Sequence, residues 1–558
     1  MMQFDLNPGL LLLLGAASVL VCTGTLRLPI MLGATIGAMA LALTHDFGSY
    51  ARFTQIGLEI TRLQLDPLSQ VFGLGLGLGA ILLVIASAGG RDRYRDGALL
   101  AACGGASGAV YAGDLISFTA YLETASLAVV ALVFVGGEVL ARRASIQVLA
   151  WQACSGACLA TGAGLIWGST ASNAIGPMQL DGPGPVIFLI GVLVKMGAVP
   201  AHGWLRACAL ATKGISLGAI LASLPIVGLY ALARCFGDTR MLLPLGALIC
   251  IYPAVLACIA TEYRARLVFA LASWIGLAMI GIMGGGPLGL AGACALAFTL
   301  CILSPMLFLG PRAQNFAGSQ QDWAVRGLGL LGAACLLSVP GTLGYAASSL
   351  LLDGLARDGQ AGMWLIGMFG AIAPLLALFA ATSGALPLGQ EHQPSQSVDF
   401  SCMLAMGCSA FFILVIGVDS RWLYALLPPG QLLYTPYDGA HLIAKGQLLC
   451  ASGLLFALWG PLRATRLGAM LSLPARSSRD LMDWAVLFSH AALRQLEAGA
   501  AWRARTRASF QAYASARAKA GQNWLKASET GVFRDILGPG LVLAIAASLA
   551  LGLLLNAG

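Results

Sequence analysis

Sixteen stretches of about 20 apolar residues recur along the 558-residue chain, and their recurrence constrains the fold more than any motif does. A bilayer core about 30 Å thick is crossed by a helix of roughly that length. The stretches fall near 9–24, 27–45, 68–89, 97–113, 114–137, 145–168, 184–205, 215–235, 241–260, 267–285, 288–310, 324–353, 362–385, 399–418, 441–461 and 537–556. Charged residues make up only 10% of the chain. A soluble domain has about a quarter, so these are too few to cover a water-facing surface. Disordered, collagen-like and disulfide-scaffold chains are excluded by the same figures. The expectation is an all-α polytopic membrane protein with about 14–16 transmembrane helices.

Two stretches are irregular. The seventh runs into Pro200 and the twelfth is cut by Pro340-Gly341, which predicts two helices broken at membrane depth. Such breaks persist only where protein or a wet cavity satisfies the freed backbone groups. The first stretch follows an acidic start and is succeeded at once by a second, so it is expected to be a span rather than a cleaved signal. From Phe53 to Leu65, apolar Ile56, Leu58 and Ile60 alternate with polar Gln55, Glu59 and Thr61, the pattern of a short extramembrane hairpin.

Basic residues orient the bundle. With the N-terminus outside, 24 of the 32 Lys and Arg fall on the cytoplasmic side and six outside. That is a positive-inside distribution. Residues 476–535 hold ten basic and five acidic residues, interleaved with Leu481, Trp484, Leu487, Phe488, Trp502, Phe510 and Trp524. The interleaving predicts an amphipathic helix along the cytoplasmic face, in contact with the lipid bilayer. Tethering between two spans argues against nucleic acid as its partner.

An ionisable side chain in mid-span is costly and therefore a functional candidate. Glu123 stands nine residues after Asp114, about 14 Å along a helix. Lys195 precedes Pro200, which frees the carbonyl of Met196, and that polar gap is expected either to solvate the ammonium or to admit water beside it. A lysine beside a carboxylate can alternate between paired and unpaired states, as a proton relay requires. A buried structural ion pair joining two spans fits the same residues, and the two readings stand level here. His202 is the next candidate proton stop, although a lone histidine at a helix end is commonly a hydrogen-bonded interfacial residue. His441 and Lys445 lie one turn apart near the outer surface, where snorkelling accounts for them.

The run Gly73, Gly75, Gly77, Gly79 lies within a span with no strand before it, so close helix packing explains it better than nucleotide binding. Cys154 and Cys158 share a helix face without histidine or carboxylate company, so no metal is expected. No haem pair, flavin site, P-loop or nucleophile–base pair occurs. No cofactor is expected, and the chain is not an enzyme by itself.

Four passages resemble the antiporter-like membrane subunits shared by respiratory complex I and Mrp-type sodium/proton antiporters. They are Asp114 to Glu123; Lys195, Pro200, His202, Trp204 and Leu205, continued by Gly228 to Arg234; Glu262 to Arg266 with Ser273 and Gly276; and Pro340, Gly341, Gly344 and Tyr345. A fifth, Leu423 to Pro428, Tyr434 to Tyr437, His441, Asp480 and Asp483-Trp484, resembles the C-terminal part of the D-type membrane proteins of Mrp antiporters.

The resemblance implies two inverted five-helix repeats, each with a broken helix, and a proton route along ionisable residues at mid-membrane. It also implies the following organisation: N-terminal helices 1–113, first repeat 114–260, second repeat 261–385, C-terminal helices 386–475, lateral helix 476–535 and final span 536–558. Glu123 and Lys195 then match the first repeat's carboxylate and lysine.

The departures lie beyond them. Lysine positions of the family fall on Ile226, Ser304 and Ser348, its tenth-span histidine falls on Ala270, and no Asp, Glu, Lys or Arg occurs between Asp358 and Glu391. The expectation is a non-redox subunit of an Mrp-type or complex-I-like assembly in a bacterial inner membrane. Its partners would be other membrane subunits, protons and, for an antiporter, Na+. A relay pair would remain in the first half, without a complete path in this chain. The alternatives are a non-conducting scaffold subunit, or a membrane energy-coupling partner of a soluble protein.

Overall fold

The structure, a computed structural model, describes residues 6–463 except 23, 56–57, 91, 137–138, 213, 238, 261, 310–319, 371–398 and 429–433. The expected lateral helix and final span lie outside the described residues. So does most of the thirteenth stretch.

The described chain is an all-α polytopic membrane protein with one small hairpin. Its helices are α1 (Pro8–Val21), α2 (Arg27–Thr44), α3 (Pro67–Ser87), α4 (Arg93–Val110), α5 (Leu115–Phe134) and α6 (Val139–Thr170). Then come α7 (Pro183–Met196), α8 (Gly203–Ala211), α9 (Gly214–Leu221), α10 (Leu224–Phe236), α11 (Leu243–Ile259), α12 (Tyr263–Gly284) and α13 (Gly286–Leu309). The series ends with α14 (Gln320–Leu336), α15 (Leu343–Arg357), α16 (Ala361–Gly370), α17 (Phe400–Val418), α18 (Arg421–Tyr424) and α19 (Gly439–Arg463). Among the described residues nine helices are long and apolar enough to cross a bilayer.

Helices α12 and α13 are buried along their whole apolar windows and form the centre. The glycine run of α3 packs on α13, with Gly75 against Phe298 and Gly79 against the Cys301 carbonyl, as close helix packing predicts. Outer helices turn apolar side chains away from the protein: Ile146, Leu149 and Trp167 on α6, and Phe411, Leu414 and Val415 on α17.

Helix caps and ion pairs tie the two ends. On one face, strands β1 (Gly48–Gln55) and β2 (Leu58–Leu65) pair antiparallel, with Gly48 opposite Leu65. The first strand starts five residues before the alternation expected from Phe53, because its early residues pair with the segment carrying buried Leu63 and Leu65. Asp114 caps α5 through the Ile116 and Ser117 amides and also accepts from the Thr61 amide, which docks the hairpin on α5. Asp66 forms a capping box with Ser69 at the start of α3 and an ion pair with Arg234 at 2.6 Å. Arg240 and Asp358 meet on this face at 2.9 Å. At the opposite face, buried Asp96 takes Arg27 at 3.2 Å and Arg95 at 2.9 Å.

Among the described residues, three helices are interrupted. The first break, residues 197–202, separates α7 from α8 and holds Pro200. Gly197 adopts φ +70°, a left-handed value that glycine reaches without strain, and its amide closes α7. The second, residues 337–342, separates α14 from α15 and holds Pro340 and Gly341, with Ser338 and Gly341 both at positive φ. The third, at Ala222-Ser223 between α9 and α10, is not expected from the sequence. Pro225, in the first turn of α10, supplies no amide to the carbonyl four residues back and crowds it. Because α7 begins and α15 ends at the hairpin face, the first two broken helices run in opposite directions.

Candidate functional site

Three helices converge on the ammonium of Lys195. The lysine lies in the last turn of α7, where terminal carbonyls favour a cation, and is wholly buried. Its Nζ donates to Glu123 Oε1 of α5 at 2.7 Å and to the Ser126 hydroxyl, one turn along α5, at 2.6 Å. The Gln152 carbonyl of α6 stands 3.5 Å away. Ser126 itself donates to the Leu122 carbonyl at 2.8 Å, so its oxygen remains available to the ammonium. Ser155 on α6 donates to the Gly191 carbonyl at 2.7 Å and fixes α6 against α7.

Glu123 is placed by what α6 lacks. A Cβ on Gly156 would stand 2.6 Å from the Glu123 carboxyl carbon, so glycine there gives the carboxylate its room. The Glu123 side chain is 32% exposed whereas that of Lys195 is 0% exposed. The pair therefore has an open, acidic end and a closed, basic end.

The structure brings Glu123 and Lys195 together, and the contacts of the ammonium come from α5 and α6. At the break, the Trp204 indole donates to the Val194 carbonyl at 3.1 Å, and the Ala198 amide donates to that of Leu193. Reasoning from mid-span charge alone misses Ser126 and Gln152, which are neutral. Their signal is the placement of Ser126 three residues from Glu123.

His202 sits at the N-cap of α8, across the break from Lys195. It is buried against aromatic rings, Tyr252 of α11 at 5.2 Å and Phe269 of α12 at 6.4 Å between centroids. It thus faces α11 and α12, at the junction of the two expected repeats, rather than the α5–α6 side.

The positions that the resemblance matches to ionisable groups are closed. Ile226 and Ala270 are wholly buried. Ser304 and Ser348 are almost wholly buried, and each hydroxyl points back to a carbonyl three residues earlier on its own helix, at 3.4 Å. Pro340 and Gly341 mark the second break as expected, but no charged side chain of α14 or α15 near that break is described.

Of His441 and Lys445, on α19, the histidine side chain is 31% exposed and the lysine departs from the snorkelling expectation. Lys445 is only 7% exposed, and among the described residues its Nζ has no hydrogen-bond partner.

No protein-family model matches the chain. NADH-quinone oxidoreductase subunit N of Beutenbergia cavernae is 27% identical over 208 residues, 32% of this chain and 38% of that protein. The D subunit of the Na+/H+ antiporter of Bacillus subtilis is 22% identical over 306 residues, 50% of this chain and 62% of that protein. The matches thus span less than two thirds of either relative. In fold, one chain of respiratory complex I from Thermus thermophilus superposes with a TM-score of 0.66 at 20% identity, covering 80% of this chain and 100% of that one. In sequence this chain is similar to NADH-quinone oxidoreductase subunit N and to the D subunit of a Na+/H+ antiporter, and its fold is similar to that of a chain of respiratory complex I.

Proposed function

We propose that the chain is a non-redox membrane subunit of a multi-subunit, Mrp-type or complex-I-like assembly that moves protons, with Glu123 and Lys195 as its proton-relay pair. The observation that carries this reading is the 2.7 Å contact between a buried lysine and a partly exposed carboxylate. A proton reaching Glu123 neutralises the carboxylate and removes the counter-charge of Lys195. The ammonium is then held by one hydroxyl and one peptide carbonyl in a low-dielectric surround, an unfavourable state that favours passing its own proton onward. His202, beyond the break, is the receiving group the sequence order offers.

The relay stops short of a complete path in this chain. Dense apolar packing at Ile226 and Ala270 and the inward-bonded hydroxyls of Ser304 and Ser348 support that reading. Partner subunits supply the remainder, including Na+ transport where the assembly is an antiporter. The setting is a bacterial inner membrane with the basic 476–535 segment on the cytoplasmic side, as the positive-inside distribution favours.

Glu123→Gln and Lys195→Ala in the intact, reconstituted assembly test the pair. Each is expected to lower proton-coupled transport about 100-fold, the low end of what a positioned proton-transfer group contributes. Unchanged transport in both variants makes the pair structural and the subunit a scaffold.

A further inference from the structure

The second half carries a polar cluster that the relay pair does not use. It lies at the hairpin face, where α15 ends and α19 begins. Asp353, on the last turn of α15, binds Arg357 at 2.8 Å, and His441 Nε2 stands 3.9 Å from its other oxygen. The second imidazole nitrogen of His441 is 3.6 Å from Asp438, and its ring lies edge-on to Tyr434 at 5.6 Å. Lys445 is one helical turn further along α19, on the same face as His441 and about 6 Å deeper. Exposure falls along this line, from 31% for the His441 side chain to 7% for Lys445.

A stripe on α15 leads to the cluster from the second break. Tyr345, Ser348, Ser349 and Asp353 recur at helical spacing, one above another. Tyrosines from the segment before α19 fold over the start of that stripe. Tyr424 donates to the Ala346 carbonyl at 2.9 Å, while Tyr345 donates to that of Pro436 at 2.7 Å and its ring packs on Tyr437. The groups facing His441 are therefore Asp353 and Arg357 of α15, Asp438 and Tyr434 of the preceding segment, and Lys445 of its own helix.

We propose that Asp353, His441 and Lys445 form a proton-exchange site open to the hairpin face, at the outer end of the second half. The bound species is a proton rather than a metal ion: Arg357 already holds Asp353, and Lys445 adds a second cation to a cluster whose two carboxylates, Asp353 and Asp438, both stand near the His441 imidazole. A buried amine without an acceptor can hold a proton only while a neighbour or water takes its hydrogens, so Lys445 has reason to exchange with His441. His441 in turn is 31% exposed at the hairpin face, so a proton it receives can pass to water there. The site occupies the place of the missing second-repeat lysine in function, though not in position. It rests on the reading that the assembly moves protons.

The test is the dependence of transport on pH at the hairpin face, measured in liposomes holding the intact assembly. His441→Gln and Lys445→Met are each expected to lower transport about tenfold or more and to flatten its dependence on the pH at the hairpin face. Lys445→Arg keeps charge and bulk but cannot release a proton, so it is expected to fail as Lys445→Met does. Full activity in Lys445→Arg makes the residue a fixed charge and overturns the proposal. Wild-type rate and pH profile in His441→Gln and Lys445→Met, beside an inactive Glu123→Gln, overturn the site and keep the pair. A flattened profile in these variants beside an active Glu123→Gln keeps the site and removes the pair. If all three variants behave as wild type, both readings are wrong.

Discussion

Both halves of the chain contain a helix broken at mid-length, and they differ in what stands beside the break. At 197–202 the preceding turn presents Lys195 to Glu123, Ser126 and the Gln152 carbonyl. At 337–342 the following turns present Tyr345 and Ser348, with hydroxyls committed to backbone carbonyls. The backbone device is the same, held in each case by left-handed residues that close the first segment. A broken helix can thus stand with or without an ion pair beside it. In the proposed relay the break opens the backbone, and the Glu123–Lys195 pair supplies the switch.

That contrast can be broken or sharpened by substitution. The largest effect is expected from Ser348→Lys. An ammonium placed in that dry position lacks the acceptors that Lys195 has, and the effective penalty is several kcal/mol. The expected result is a strong loss of assembled complex or of its thermal stability. Normal yield with raised proton conductance would mean that the second half already has a wet path. A smaller effect is expected from Ser126→Ala, which removes one hydroxyl from the ammonium. Hydrogen bonds to charged groups contribute about 1.5–3 kcal/mol. Transport is accordingly expected to fall about tenfold while the complex still assembles, and an unaltered rate would show that Glu123 alone suffices to hold Lys195.

The fold is legible in the sequence wherever one local cause decides it. Twenty-residue apolar windows locate the helices, and Pro200 and Pro340-Gly341 locate two breaks. The interruption at Ala222-Ser223 is hidden because Pro225 lies near the start of an ordinary apolar stretch, where it reads equally well as a tolerated first-turn proline. In the candidate site, the charged pair stands out because mid-span charge is rare. Ser126 does not, since a hydroxyl in a span is readily satisfied by its own helix, and Gln152 contributes its backbone carbonyl, which no side-chain type announces. Lys445 misleads for a different reason. Its spacing from the outer face fits snorkelling, and only the packing of the assembled helices decides that its ammonium is enclosed.

The central claim, that charge switching is kept in the first half and lost at the family's positions in the second, has a direct test. Proton uptake by liposomes holding the intact assembly would be compared for Glu123→Gln and for the double variant Ser304→Ala/Ser348→Ala. The account predicts a loss of about 100-fold in the first and a rate close to wild type in the second. Wild-type uptake in Glu123→Gln, or a collapse of uptake in a well-assembled serine double variant, would contradict it.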